Sequence, residues 1–89
     1  MLESKIQSRI IKELEKNGCY VVKIIAANRA GNPDIIACYK GRFLAIEVKQ
    51  PGESPTDLQK SKIEAIKNAG GEAITLSSSK DIASVLKSL

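Results

Sequence analysis

Two carboxylates and a lysine have side chains that could do chemistry together. Asp34 follows the segment Gly31-Asn32-Pro33, and Glu47 and Lys49 are two residues apart in an apolar run. Two carboxylates about 4 Å apart repel by roughly 4 kcal/mol at an effective dielectric near 20. A hard divalent cation such as Mg²⁺ makes the pair of carboxylates favourable instead, because it takes carboxylate oxygens as ligands. The residues therefore predict a cation site at Asp34 and Glu47.

Such a site next to a lysine is suited to phosphodiester hydrolysis. The cation polarises a phosphoryl oxygen, lowers the pKa of water and stabilises the leaving oxygen. The Lys49 ammonium could stabilise the charge that builds on the phosphorus, or orient the water. A glutamate and a lysine two apart also occur on solvated strands, and Asp34 could be a turn residue. A non-catalytic interpretation therefore stays open.

The composition excludes several other mechanisms. The 89 residues include no histidine, which removes Ser-His and Cys-His catalysis and the histidine-containing metal sites. Lys and Arg number 14 against 10 Asp and Glu, a net charge of +4 that suits an anionic partner. One Phe, two Tyr and no Trp are too few for a stacking platform, so duplex or branched DNA fits better than single strands.

Apolar periodicity and turn signals predict the element order αβββαβα. The first helix is predicted over Leu2–Asn17, with Leu2, Ile6, Ile10 and Leu14 at four-residue spacing. Strands are predicted over Cys19–Ala27, Asp34–Tyr39, Phe43–Gln50 and Glu72–Ser77. The second helix is predicted to be capped by Ser54, to start at Pro55 and to end near Ala69. Ser79 is predicted to cap the last helix.

The predicted second and third strands position the chemistry. Lys40-Gly41-Arg42 is short enough to join them as an antiparallel hairpin. Asp34 and Glu47 then lie at the same end of the hairpin. Alternation along the third strand places Glu47 and Lys49 on one face, so two carboxylates and a lysine converge.

The sequence predicts a single domain over residues 1–89, and a chain this small has little core to spare, which favours a homodimer. Cys19 and Cys38 each lie in an apolar run without CxxC spacing or a secretory signal, and are predicted to be reduced core thiols. No apolar stretch reaches the length of a membrane span. The expectation is an intracellular, cytoplasmic protein.

With these residues in place, the sequence resembles a known group of nucleases. The segments Gly31-x-Pro33-Asp34 and Glu47-x-Lys49 resemble the PD-(D/E)XK superfamily. The whole order of motifs is similar to that of the VRR-NUC family in its compact, stand-alone, phage-type form. That order is an early helical glutamate, then GxPD, ExK and a helix with TxxQ. The resemblance covers nearly the whole chain and extends to the archaeal Holliday junction resolvases.

The resemblance implies an α/β (α+β) fold with a restriction-endonuclease-like core, a mixed four-stranded sheet flanked by helices. It implies that Asp34, Glu47 and the backbone carbonyl of Val48 hold Mg²⁺ or Mn²⁺ and that Lys49 is catalytic. Glu3 corresponds to the early helical glutamate that reaches the metal, although it could also be an ordinary carboxylate at a helix start.

Gln59 corresponds to the helical glutamine near the active centre of the family. The spelling Thr56-x-x-Gln59 is also that of a capping box. Because Ser54 and Pro55 are predicted to supply the cap, Gln59 is expected to face the site instead. Lys62 and Arg29 are weaker candidates for phosphate contacts.

The leading hypothesis is a metal-dependent, structure-selective endodeoxyribonuclease, acting as a homodimer on Holliday junctions or other branched DNA. Two active sites about a two-fold axis would match a substrate with two equivalent strands. A nuclease on duplex, flap or single-stranded DNA is the second hypothesis. A non-catalytic DNA-binding or interaction module is the third.

Overall fold

The computed structural model describes residues 2–89 and confirms the order αβββαβα. Its elements are α1 (Glu3–Lys16), β1 (Tyr20–Lys23), β2 (Ile35–Tyr39), β3 (Arg42–Val48), α2 (Asp57–Asn68), β4 (Glu72–Leu76) and α3 (Ile82–Lys87), with a 3₁₀ turn at Ser79–Asp81 before α3. Among these residues, none of the helices combines the length and apolar character needed to span a bilayer.

The four strands form one mixed sheet in the order β1-β2-β3-β4. The first three strands are antiparallel neighbours, and β4 runs parallel to β3 because α2 carries the chain back across the sheet. The predicted mixed four-stranded sheet flanked by helices is confirmed.

The turn between β2 and β3 sets the register that matters for the site. Lys40 (φ 50°) and Gly41 (φ 81°) both have positive φ, the combination that a two-residue hairpin turn of type I′ requires. The resulting register pairs Ile35 with Ile46. Asp34 and Glu47, one residue beyond that pair, therefore lie opposite each other, as predicted.

Helices cover the two faces of the sheet unequally. On one face, the α1 side chains Ile6, Ile10 and Leu14 join a buried core with sheet and α3 residues: Ile35, Ala37, Leu44, Ile46, Val48, Leu76, Ile82 and Leu86. On the other face, the small buried residues Ala45 and Ala73 are paired in register, and α2 packs there. Glu47 alternates with Ala45 along β3, so its side chain lies on the α2 face.

The prediction of a buried strand over Cys19–Ala27 is wrong in length and in burial. β1 ends at Lys23, and the ladder closes with Ile24 N donating to the Asp34 carbonyl oxygen at 2.8 Å. Pro33, preceding Asp34, has no N–H to extend the pairing. β1 is also an edge strand, and Tyr20 is 73% exposed.

Cys38 corrects another prediction, since it is exposed rather than part of the core. It pairs in register with the exposed Tyr20, on a face of the β1–β2 hairpin that the helices leave open. Cys19 is buried, and both thiols are free.

Two predicted helix starts are also wrong. The N-cap of α2 is Thr56, not Ser54, and Asp57 rather than Pro55 is the first helical residue. The two reciprocal hydrogen bonds of the capping box between Thr56 and Gln59 favour this later start. At the end of the chain, Ser78 rather than Ser79 caps the 3₁₀ turn that leads into α3, with its side chain accepting from Lys80 N.

Candidate active site

Asp34 is held from both neighbouring strands. Its Oδ2 accepts a hydrogen bond from the backbone N–H of Val48 at 2.8 Å, and its own carbonyl accepts from Ile24 N. A hydrogen bond to a backbone amide fixes the carboxylate at the end of β3. The Oδ1 atom takes no part in this bond.

The loop before Asp34 requires glycine for its close contact with α2. Gly31 has φ +78°, and a Cβ at this position would lie 2.6 Å from Cγ of Leu58. The contact holds the Gly31-Asn32-Pro33 segment against the first turn of α2, and Pro33 is buried there. The glycine therefore helps to set where Asp34 enters the site.

Glu47 is a buried carboxyl, with only 3% of its surface exposed. Its Oε2 accepts a hydrogen bond from Nε2 of Gln59 at 2.7 Å. Within residues 2–89, its Oε1 is buried and has no hydrogen-bond partner. A buried acceptor without a donor is unfavourable, so this oxygen needs a proton or a cation.

Burial raises the pKa of Glu47 from its usual 4.5 to about 7. The next contribution to this raised pKa is the negative charge of Asp34, while the positive charge of Lys49 acts in the opposite direction. A smaller rise comes from the charge of Glu3. Raised carboxyl pKa values of this kind are common at functional sites.

Gln59 combines the two roles that the sequence presented as alternatives. Its Oε1 accepts from Thr56 N at 2.8 Å while its backbone N–H donates to Thr56 Oγ1 at 3.2 Å, which is a complete capping box. Its amide nitrogen donates to Glu47. The predicted contact of Gln59 with the site is present, but the reason given for it, a cap supplied by Ser54, is wrong. The oxygen of the Gln59 side-chain amide serves the cap and its nitrogen serves Glu47.

Lys49 and Glu3 lie within electrostatic reach of Glu47, as their opposite effects on its pKa indicate. Lys49 is half-buried just beyond β3, and its backbone N–H donates to the carbonyl of Leu76 at 3.0 Å, which extends the pairing with β4. Glu3 is the first residue of α1. The structure thus brings Asp34, Glu47, Val48 and Gln59 into direct contact and holds Lys49 and Glu3 nearby.

The carboxylates of Asp34 and Glu47 suit a hard cation that keeps several of its bound waters. Within residues 2–89, no three His, Cys, Asp or Glu side chains converge as a ready-made metal site. Mg²⁺ is commonly bound by one or two carboxylates, with waters and substrate phosphate oxygens completing its shell. The unpartnered Oε1 of Glu47 and the carboxylate of Asp34 fit that pattern.

Two further polar features lie around this centre. Arg29 and Lys62, with Asn32, line one groove of about 240 Å³ between the Asp34 loop and α2. Gln7 is a residue that the motifs do not indicate: it lies one helical turn after Glu3, and its Oε1 is buried without a partner among residues 2–89. A polar residue at i+4 from Glu3 next to the apolar stripe is the signal that could have identified it.

Comparisons with known proteins identify the family of this chain. Residues 4–82 match the family described as archaeal Holliday junction resolvase (Hjc). The chain is 32% identical over 85 residues to the protein named "Putative nuclease p44" of Acyrthosiphon pisum secondary endosymbiont phage 1, covering 94% of this chain and 90% of the relative.

Solved structures show the same fold. A VRR_NUC domain superposes with a TM-score of 0.82 at 23% identity, over 96% of this chain and 94% of the other. Archaeoglobus fulgidus Hjc, a Holliday junction resolvase, superposes with a TM-score of 0.68 at 23% identity, over 84% of this chain and 67% of the other. The fold is therefore that of the compact VRR-NUC and Hjc proteins, and the chain belongs to the archaeal Holliday junction resolvase family.

Proposed function

We propose that this protein is an Mg²⁺- or Mn²⁺-dependent endonuclease that cuts Holliday junctions or other branched DNA. Family membership and the names of the similar proteins, a nuclease and a Holliday junction resolvase, support hydrolysis of DNA. The observation that carries the proposal is the buried Glu47 carboxyl, which has one oxygen on Gln59 and the other without a partner next to Asp34.

In this proposal Asp34, Glu47 and the backbone carbonyl of Val48 would hold the cation. When bound, it would polarise the phosphoryl oxygen and make a nearby water more acidic. Gln59 holds Oε2 of Glu47 and so fixes the orientation of the carboxylate. The bond from Val48 N to Asp34 does the same for the second carboxylate. Both are therefore oriented before substrate arrives, which avoids reorganisation during the reaction.

Lys49 and Glu3 have the outer roles. The Lys49 ammonium stabilises the negative charge that develops on the phosphoryl oxygens during attack. Glu3 adds a carboxylate at the start of α1 that can interact with the cation or with its waters. Arg29 and Lys62 line a common groove beside α2 and are proposed to contact DNA phosphates there.

Cleavage of a labelled four-way junction tests the catalytic proposal. We expect wild-type protein to nick the junction with Mg²⁺ or Mn²⁺ and to be inactive in EDTA. Lys49→Ala should lower the cleavage rate by roughly 10² to 10³, the usual cost of removing one preorganised charge-stabilising group. Lys12→Ala, an exposed lysine on α1, is the matched control and should cut normally. Undiminished cutting by Lys49→Ala would exclude this mechanism.

A panel of DNA substrates tests the branched-DNA specificity. Junction, flap, linear duplex and single-stranded DNA of equal length should be cut at different rates, with the junction fastest. Paired symmetric nicks in one junction would support two active sites about a two-fold axis. Equal rates on all four substrates would replace the proposal with a general DNA nuclease. Calorimetry that detects no cation binding would favour a non-catalytic DNA-binding module.

A further inference from the structure

A second polar cleft lies beside the candidate active site, on the α1 side of the sheet. We call it the serine cleft and define it by Arg9, Ser77, Ser78, Ser79 and Lys80. Its volume is about 340 Å³, near the lower end for small-molecule sites, so it has room for a small group. Ile6 and Pro51 complete its walls.

The chemistry of the serine cleft suits an anion. Two cationic residues and three serines line it, and among residues 2–89 no Asp or Glu contributes to its lining. Arginine and lysine bind phosphate oxygens by charge-assisted hydrogen bonds, and serine hydroxyls can donate to the same oxygens. The hydroxyl of Ser78 accepts from Lys80 N, which leaves its own hydrogen to donate outward.

Connectivity places the serine cleft next to the catalytic residues. The hydrogen bond from Lys49 N to the Leu76 carbonyl puts Ser77, the next residue, beside the end of β3. Pro51 follows Lys49 by two residues. On α1, Ile6 lies three residues after Glu3, about 4.5 Å of helix rise.

We propose that the serine cleft binds a backbone phosphate of the DNA near the bond that is cut. Arg9 and Lys80 neutralise the phosphate and the serine hydroxyls orient it. This contact positions the strand and carries no sequence information, because every nucleotide presents the same phosphate. The inference rests on the proposed nuclease function for its substrate, but the contact itself is independent of catalysis.

Salt-dependent DNA binding tests the serine cleft separately from cleavage. Dissociation constants for a labelled junction are measured at several salt concentrations with Lys49→Ala protein, with and without Arg9→Gln and Lys80→Gln. Together these two changes should raise the dissociation constant about tenfold and lower the slope of log K against log salt by about 1 to 2. The effect should be equal for junctions of unrelated sequence.

The matched control, Lys12→Gln/Lys87→Gln, removes two charges elsewhere, one from α1 and one from α3. Lys12 and Lys87 are exposed and lie outside the cleft lining, so their replacement should change the dissociation constant far less. Binding by the Arg9→Gln/Lys80→Gln protein equal to that of the control would overturn the proposal. If wild-type protein fails to cut DNA but the cleft variants lose binding, the nuclease function falls and the phosphate site stands.

Discussion

At the scale of single residues, burial makes the behaviour of Glu47 depend on pH. The pKa of Glu47 is about 7 in the folded protein, against 4.5 for an exposed carboxyl. The folded state therefore holds this proton more tightly than the unfolded state. Its contribution to stability is fully present below the unfolded pKa and is lost as pH rises through about 7.

The metal-free protein should accordingly have a higher free energy of unfolding at pH 5 than at pH 8.5. Urea unfolding in EDTA at the two pH values measures the difference. Glu47→Gln carries no charge at either pH and should reduce the dependence. An equal pH dependence in wild-type and Glu47→Gln protein would show that other groups cause it.

The same proton competes with the cation. Since a ligating carboxylate must be deprotonated, Mg²⁺ or Mn²⁺ affinity should rise as pH increases through about 7 and level off above it. Calorimetric titration of wild-type protein between pH 6 and pH 8.5 measures this. Affinity that stays constant across the range would contradict a site built on Glu47.

The capping role and the site role of Gln59 can be tested separately, because Gln59 bonds to the Glu47 carboxyl and Thr56 does not. Thr56→Ala removes the side-chain cap and should lower the free energy of unfolding by about 1 kcal/mol, with little change in cleavage rate. Gln59→Ala should cost a similar stability and also slow cleavage about tenfold or more, because Glu47 loses its partner. Thermal unfolding and single-turnover cleavage measure the two effects. Equal cleavage by both variants would contradict a positioning role for Gln59.

At the scale of the elements, the Asp34 loop and α2 are joined through a glycine. Gly31→Ala combines a positive φ with a Cβ 2.6 Å from Leu58 Cγ, and should lower the free energy of unfolding by roughly 2 to 4 kcal/mol. Gly18→Ala is the matched control: its φ is +87°, but a Cβ there meets nothing within 4 Å, so it should cost only about 1 to 2 kcal/mol. Urea unfolding measures both.

A second change tests whether the contact with Leu58 is the cause. Leu58→Ala in the Gly31→Ala protein removes the side chain that the new Cβ meets, and part of the lost stability should return. No recovery would mean that backbone strain alone explains the loss.

The sequence predicted those parts of the fold that local patterns determine. The spacing of Ile6, Ile10 and Leu14 predicted α1, and Gly41 predicted the hairpin that brings Asp34 opposite Glu47. The length of β1 could not be predicted, because it depends on a partner that begins only at Ile35. The four apolar residues that follow Lys23, residues 24–27, lie outside β1, and only Ile24 continues the pairing through its bond to Asp34.

The sequence predicted which residues form the candidate site more fully than it predicted the hydrogen bonds between them. Motif spacing indicated Asp34, Glu47, Lys49 and Gln59. The bond from Val48 N to Asp34 and the double use of the Gln59 amide depend on tertiary distances that no spacing encodes. The roles of these residues, and that of Glu3, stay predictions until the variants are measured.

At the scale of the whole molecule, we expect a homodimer. A chain of 89 residues buries a modest share of its surface, and large apolar side chains remain uncovered on β1 and just after it: Tyr20 is 73% and Ile25 is 89% exposed. Sedimentation equilibrium should give twice the mass of 9.6 kDa at the protein concentrations used for cleavage. A monomer there, combined with paired nicks in a junction, would contradict the two-site explanation.

The amide of Gln59 joins the first turn of α2 to the carboxyl of Glu47, and thermodynamic linkage makes that connection reciprocal. Whatever occupies the other oxygen of Glu47 also restrains the start of the helix. Backbone amides in the first turn of α2 should then exchange with solvent deuterium more slowly when cation is present. Conversely, a sequence change that lets this turn fray should weaken cation binding without altering any ligand.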